Sequence, residues 1–218
     1  MKTHYYLGWF SNFIPENLGR VLQEDITDRK SIVMISSNPD IYEEVGATEC
    51  SWLDVSGITF DEYHLINYQL QKDDAQTLIQ KASVIFLLGG NPLKQNDFLM
   101  EYELSEPIKQ SKAVVIGASA GAINMSAKWL CSKELGFEAE TSSIYSGVGL
   151  DDISVLSHYD LENNTDQILS ELSPLSYDMD IYASNEDCAI RVKGDKIDIY
   201  GNVYVISNSV IQKLEATL

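Results

Sequence analysis

The sequence predicts an α/β fold: a doubly wound, mostly parallel sheet with helices on both faces and an antiparallel addition near the C-terminus. Three observations carry this. Short apolar runs recur along the chain, such as Ser31–Ser37 (SIVMISS), Ser83–Leu88 (SVIFLL) and Ala113–Ile116 (AVVI), and continuous runs of that length read as strands buried on both faces. Segments with helical spacing alternate with them. After residue 189 the pattern changes to short strands separated by turns, with Lys193-Gly194-Asp195-Lys196 as a hairpin signal.

Taken in order, Tyr5–Trp9 is a first strand, broken by Ser11-Asn12. Pro15–Ile26 reads as a helix, with proline near its start, where a missing N–H costs little. Ser31–Ser37 is a strand closed by the Asn38-Pro39-Asp40 turn, and Asp40–Leu53 is expected to be helical in spite of Gly46. Tyr63–Ile66 is a strand, Asp73–Ala82 a helix, and Ser83–Leu88 a strand ending in Gly89-Gly90-Asn91-Pro92. Asn96–Gln110 is expected to be helical with an interruption near Pro107. The apolar run from Ala113 then leads into a helix over Ala120–Leu130, and Ser132–Gly149 reads as loop. Ile153–Leu156 is a strand ending in Ser157-His158-Tyr159, and Thr165–Leu172 is a helix. Ile181–Ala183, Ala189–Val192, Ile197–Tyr200 and Val203–Ile206 complete the strands. With no repeat, linker or low-complexity tract, residues 1–218 are expected to form one domain.

Composition bounds the function. The chain of 218 residues is 44% hydrophobic, enough for a full core, and carries a formal net charge of −18. Such a surface repels nucleic acid and anionic membrane. Cys50, Cys131 and Cys188 are odd in number and far apart, which fits a reducing compartment, the cytoplasm, and no disulfide framework. The N-terminal MKTHYYLGWF lacks the long apolar core of a signal peptide, and no apolar run reaches membrane-span length. His4, His64 and His158 form no metal motif, so neither metal nor cofactor is expected.

Ser119 sits at the strand-to-helix turn Gly117-Ala118-Ser119-Ala120-Gly121, a Gly-x-Ser-x-Gly pattern. In a nucleophile elbow small neighbours permit the sharp turn, and the following helix aims N–H groups and the positive end of its dipole at the same point. The same features also suit packing or anion binding. The diglycine Gly89-Gly90 lies at the C-terminal end of a buried strand, where ligands of open α/β sheets bind. Glycine there lets a backbone N–H approach a substrate closely. A serine nucleophile needs a base. Of the three histidines only His158 follows Ser119 and ends an apolar strand. The base needs a carboxylate on its other nitrogen. Asp151 and Asp152 precede His158 and Glu186 and Asp187 follow it, with Glu186 favoured by its place at a strand junction.

The diglycine-Asn, the Gly-x-Ser-Ala-Gly-Ala of residues 117–122, Ser157-His158-Tyr159 and Glu186-Asp187-x-Ala189 occur in one order. In this the chain resembles the dipeptidase E and cyanophycinase family of serine peptidases, from about residue 31 to 206. The resemblance implies a class I glutamine amidotransferase-like fold and a Ser119–His158–Glu186 triad. It also implies an oxyanion hole from the N–H groups of Gly90 and Ala120, and a small peptide as substrate. Two features depart from the family. Pro92 stands where a threonine is usual. The segment after His158 offers Asn163, Asn164, Thr165 and Asp166 where aspartyl dipeptidases carry a basic residue. Strict Asp-X specificity is therefore not expected, because Asp166 would repel an acidic side chain. Two other classes fit parts of the pattern. An α/β-hydrolase esterase shares Gly-x-Ser-x-Gly but places its histidine last, after an acid that would have to be Asp151 or Asp152. A non-catalytic peptide- or anion-binding homologue would keep the elbow without the chemistry.

Overall fold

A computed structural model describes residues 2–11, 13–41, 46–137, 141–159 and 161–217, with the side chains of 161–165 outside the description. The chain opens with β1 (Thr3–Leu7), α1 (Glu16–Asp25), β2 (Ser31–Ile35), α2 (Ala47–Val55), β3 (Glu62–Ile66), α3 (Lys72–Lys81) and β4 (Val84–Leu87). Two helices, α4 (Pro92–Glu101) and α5 (Ser105–Gln110), lead to β5 (Val114–Ala118) and the short α6 (Ala120–Met125). Strands β6 (Lys128–Cys131) and β7 (Ser143–Ser146) flank a single 3-10 turn, Lys133–Leu135. Then come β8 (Ser154–Ser157), α7 (Leu161–Ser176), β9 (Ile181–Ser184), β10 (Ala189–Lys193), β11 (Lys196–Tyr200), β12 (Val203–Ser207) and β13 (Val210–Lys213).

The main sheet runs β11-β10-β1-β5-β4-β2-β3. From β1 to β3 it is parallel throughout, and β10 and β11 extend it antiparallel at the β1 edge. The period-2 alternation of a strand sorts its side chains into two layers. Tyr5, Leu7, Ile32, Met34 and Phe86 pack with Leu18 and Leu22 of α1 and Trp52 and Leu53 of α2. Tyr6, Val33, Ile35, Ile85 and Leu87 pack on the other face with residues of α3, α4 and α5 and with Met125. Parallel strands covered on both faces are the predicted arrangement.

The antiparallel addition is divided. Its first hairpin, β10–β11, joins the main sheet. Strands β12 and β13 instead build a second sheet, β13-β12-β9-β8, which packs on α7 through Ile168, Leu172 and Leu175. Other boundaries differ from expectation for local reasons. Helix α2 starts only at Ala47, because Gly46 adopts φ 88 at its N-cap, and residues 42–45 lie outside the description. The predicted Asn96–Gln110 helix begins earlier, at Pro92. It breaks around Glu103 (φ 51) and not at Pro107, which sits in the first turn of α5, where proline is tolerated. The predicted Ala120–Leu130 helix stops at Met125, and Lys128–Cys131 pairs as a hairpin with Ser143–Ser146 inside the expected loop.

An ionic network ties α1 to the antiparallel edge. Tyr5, Arg191 and Asp198 are register neighbours on β1, β10 and β11, so their side chains share the face that α1 covers. The Asp25 side chain is 2% exposed. It accepts from Tyr5 OH (2.6 Å), from Arg191 Nε (2.7 Å) and Nη2 (3.0 Å), and from Lys193 Nζ (2.7 Å). Arg191 also donates to Asp198 at 2.6 Å. Burial by itself raises the Asp25 carboxyl, but the hydrogen bonds from Arg191, Lys193 and Tyr5 outweigh it and hold the group below the ordinary carboxylate value. Asp198 is held low in the same way by Lys196 and Arg191, against its burial.

A carboxyl with a depressed folded-state pKa contributes stability above its unfolded value, near 4, and loses it as pH falls through the lower folded value. Wild type should therefore lose stability as pH falls below about 4, and Asp25→Asn should show a flatter acid profile in chemical denaturation. At neutral pH Asp25→Ala leaves Arg191 with Asp198 alone and takes the acceptor from Tyr5 and Lys193, which should cost about 3 kcal/mol, a melting temperature lower by roughly 10 °C.

Candidate active site

The C-terminal ends of the parallel strands share one rim, and the elbow stands at its centre. Strand β5 ends at Ala118 and α6 begins at Ala120, which leaves Ser119 to make the whole turn at φ 47 and ψ −107. A positive φ strains a residue with a Cβ and persists only where its surroundings hold it. They do so closely. The Ser119 N–H donates to the Leu7 carbonyl at 3.0 Å. A Cβ on Gly121 would stand 2.0 Å from the Leu87 carbonyl oxygen, and one on Gly117 would stand 2.5 Å from Met125 Sδ. Both glycines of Gly-x-Ser-x-Gly are thus demanded by packing.

His158 arrives from the second sheet. Strand β8 lies parallel to β9 with Ser157 opposite Ser184, and beyond it the chain turns at His158 with φ 61. The Tyr159 N–H donates to the Ser184 carbonyl at 3.0 Å and anchors the turn. His158 Nε2 then lies 2.9 Å from Ser119 Oγ. With its proton on Nδ1, the ring accepts the serine hydrogen, the geometry a general base needs. Two sheets thus contribute to the rim, the main sheet through β5 and the second sheet through β8.

Gly90, at φ 133, and Ala120, the first residue of α6, border the same cleft as Ser119 and His158. Its volume is about 470 Å³. A first-turn N–H such as that of Ala120 has no intrahelical acceptor. Pro92 fits as the first residue of α4, and the Asn91 side chain caps that helix by accepting from the Lys94 N–H at 3.0 Å. Leu93, Ile123, Leu135 and Phe137 give the cleft an apolar wall. His158 is the one titratable side chain among its described lining residues, which include no lysine or arginine.

The candidate carboxylates separate. Asp151 accepts from Tyr6 OH at 2.7 Å and lies 2.8 Å from His4 Nδ1. That contact is near the start of β1, whereas the elbow is tied to its last residue, so Asp151 is committed elsewhere. Asp152 is exposed. Glu186 follows β9 and is also exposed; its described contact is Ser11 Oγ at 3.5 Å, and no described hydrogen bond joins it to His158. Asp187 is exposed, with φ 54, and its N–H donates to the Trp9 carbonyl at 3.1 Å. The side chains of Asn163, Asn164 and Thr165 lie outside the described residues, and Asp166 is exposed. His64 contacts Glu62 at 3.1 Å, away from the site.

The three cysteines are free, and burial pushes the Cys188 and Cys50 thiols up to about 11, which keeps them protonated and unreactive. Among the described residues no group of three His, Cys, Asp or Glu side chains is placed to hold a metal ion, and no helix is long and apolar enough to cross a membrane. Two residues at the diglycine loop carry no signal in the sequence. Ser37 follows β2 and Glu49 lies in α2, both buried, with no motif to mark them.

Comparison with known proteins fits this geometry. The model of peptidase family S51 matches residues 30–200. The chain belongs to peptidase family S51. A cyanophycinase of Geminocystis herdmanii (strain PCC 6308) is 26% identical over 168 residues, 74% of this chain. The match spans 58% of that relative's length. Two solved structures share the fold of this S51 member at 18% identity. One is a peptidase from an acI-B1 Actinobacterium (TM-score 0.69, covering 99% of this chain and 95% of the other). The second is a putative peptidase E protein from Listeria monocytogenes EGD-e (TM-score 0.65, covering 99% and 100%).

Gly121→Ala should force α6 off β4, because backbone cannot yield as a flexible side chain can. Overpacking of this kind costs at least about 1–3 kcal/mol. A thermal melt should show the destabilisation, and reactivity at Ser119 should fall with it.

Proposed function

We propose that this S51 member is a serine peptidase that hydrolyses short peptides of dipeptidase scale, with Ser119 as nucleophile. The observation that carries the reading is the 2.9 Å approach of His158 Nε2 to a serine hydroxyl on a strained elbow. His158 takes the hydroxyl proton as Ser119 Oγ attacks the peptide carbonyl carbon. The carbonyl π electrons move onto oxygen, and the N–H groups of Gly90 and Ala120 hold that oxyanion. The tetrahedral intermediate collapses, the C–N bond breaks, and the imidazolium returns its proton to the leaving amine. Water then repeats the sequence on the acyl-enzyme, activated by the same imidazole, and frees the acid and the serine.

Glu186 is the carboxylate assigned to His158 Nδ1. Its support is placement: β8 and β9 are adjacent and parallel, so the exits that carry His158 and Glu186 lie side by side. Holding the imidazole in one tautomer and stabilising the imidazolium are the functions of such a group. The cleft's described lining offers no cation to an acidic side chain, and the chain carries −18 overall. The acyl-side residue is therefore neutral, seated against Leu93, Ile123, Leu135 and Phe137, and not aspartate.

A fluorophosphonate probe should label the wild type, Ser119→Ala should abolish labelling, and His158→Ala should slow turnover at least about 10⁴-fold. Absence of labelling in the folded wild type would favour a binding protein. Glu186→Gln should lower kcat by up to about 10⁴-fold while Asp187→Asn stays near wild type, and the reverse result would move the assignment to Asp187. Across a dipeptide panel, neutral residues at the first position should be turned over faster than aspartate. A clear Asp-X preference would contradict the neutral cleft.

A further inference from the structure

The diglycine loop is held by more buried polar groups than a turn requires. The Gln95 amide donates to the Leu88 carbonyl at 3.1 Å and the Ile35 carbonyl at 3.2 Å, and the Asn124 amide donates to the Pro92 carbonyl at 2.9 Å. Between these anchors stands the Gly89–Gly90 peptide. The Gly89 N–H donates to Glu49 Oε1 at 3.1 Å, and the Ser37 hydroxyl donates to the Gly89 carbonyl. Ser37 is 4% exposed and Glu49 5% exposed, and neither lines the cleft. They reach the loop from behind.

In a trans peptide the C=O and the following N–H point in opposite directions. A Gly89 carbonyl turned toward Ser37 therefore turns the Gly90 N–H away from Ser37, toward the cleft that Gly90 lines. That N–H donates to no described acceptor, which leaves it free for a ligand. We infer that Ser37 and Glu49 are positioning residues for the oxyanion hole, fixing the Gly89–Gly90 peptide with its Gly90 N–H toward the cleft. This rests on the serine-peptidase reading for its kinetic consequence, but the peptide orientation itself does not.

The clamp matters because glycine tolerates both signs of φ, so a diglycine peptide can rotate at little cost. A rotated peptide would present the Gly89 carbonyl oxygen where the oxyanion forms, and repulsion would replace a hydrogen bond. The two side chains hold different atoms. Ser37 holds the carbonyl of the peptide that carries the Gly90 N–H, and Glu49 holds the N–H one peptide earlier. Packing reinforces them. A Cβ on Gly90 would lie 2.3 Å from Ser37 Oγ, and one on Gly89 would lie 2.8 Å from Trp9 Cζ3. Burial raises the Glu49 carboxyl, opposed by hydrogen bonds from its own N–H and that of Gly89. Its Oε1 accepts in either protonation state, so an amide can replace it.

Kinetics and a structure test this together. Ser37→Ala should lower kcat about 10- to 100-fold, less than outright loss of an oxyanion donor, with KM and melting temperature near wild type. Glu49→Gln should keep activity, since its amide oxygen still accepts from Gly89, whereas Glu49→Leu should fall as Ser37→Ala does. A crystal structure of Ser37→Ala should show the Gly89 carbonyl rotated toward the cleft or in two orientations. Wild-type kcat in Ser37→Ala, or a Gly89–Gly90 peptide left in its original orientation, overturns the assignment. If the wild type itself has no activated serine, the peptidase reading fails, and the orientation of this peptide in Ser37→Ala still decides the positioning role.

Discussion

The site depends on the contact between the first turn of α6 and β4, where Gly121 rides over the Leu87 carbonyl more tightly than any other described glycine does over its neighbours, with no room for a methyl group. That approach sets the distance between two neighbouring parallel strands' exits. One exit carries Ser119 and the other carries Gly89-Gly90. A side chain at position 121 would lift the helix and separate the hydroxyl from the diglycine loop. The rest of the site builds on this spacing: the cap at Asn91, the amide of Asn124 that ties α6 to the start of α4, and the cleft between them.

Part of the backbone strain lies on the same rim. Ser119, His158 and Asp187 all adopt positive φ without being glycine, and Gly90 sits at φ 133. Each such non-glycine residue costs on the order of 1–3 kcal/mol, which the surrounding core must offset. The core is built for it, with two apolar layers around the main sheet and a third beneath the second sheet. The second sheet contributes something different. Through the parallel β8–β9 pair it delivers an imidazole to a serine that belongs to the other sheet.

Much of this was legible in the chain. Buried strands announce themselves as apolar runs, and Ser31–Ile35, Val84–Leu87 and Val114–Ala118 fell where those runs fell. Gly117, Ser119, Gly121 and the diglycine were legible because tight turns admit few residue types. What depended on distant pairing was not. Ala127–Leu130 has helical spacing, yet Lys128–Cys131 pairs with a strand more than ten residues on, and the partner decides its conformation. Nothing local says that β10 joins β1 while β12 joins β9. Asp151 looked available until folding set it against His4 and Tyr6. Ser37 and Glu49 are ordinary residues in sequence, distinguished only by what they touch.

The acidic surface and the uncharged cleft serve one end. In the proposed reading, with −18 over the whole chain and no lysine or arginine among the described lining of the cleft, substrate is held by apolar walls and backbone donors. Catalysis of this kind requires Ser119, Gly90 and Ala120 to converge on one reacting carbonyl. A crystal structure of the fluorophosphonate adduct is the decisive measurement. Phosphorus should be bonded to Ser119 Oγ, with the phosphoryl oxygen about 2.7–3.1 Å from both the Gly90 and Ala120 nitrogens. An adduct on another residue, or a phosphoryl oxygen turned away from both N–H groups, is incompatible with that convergence.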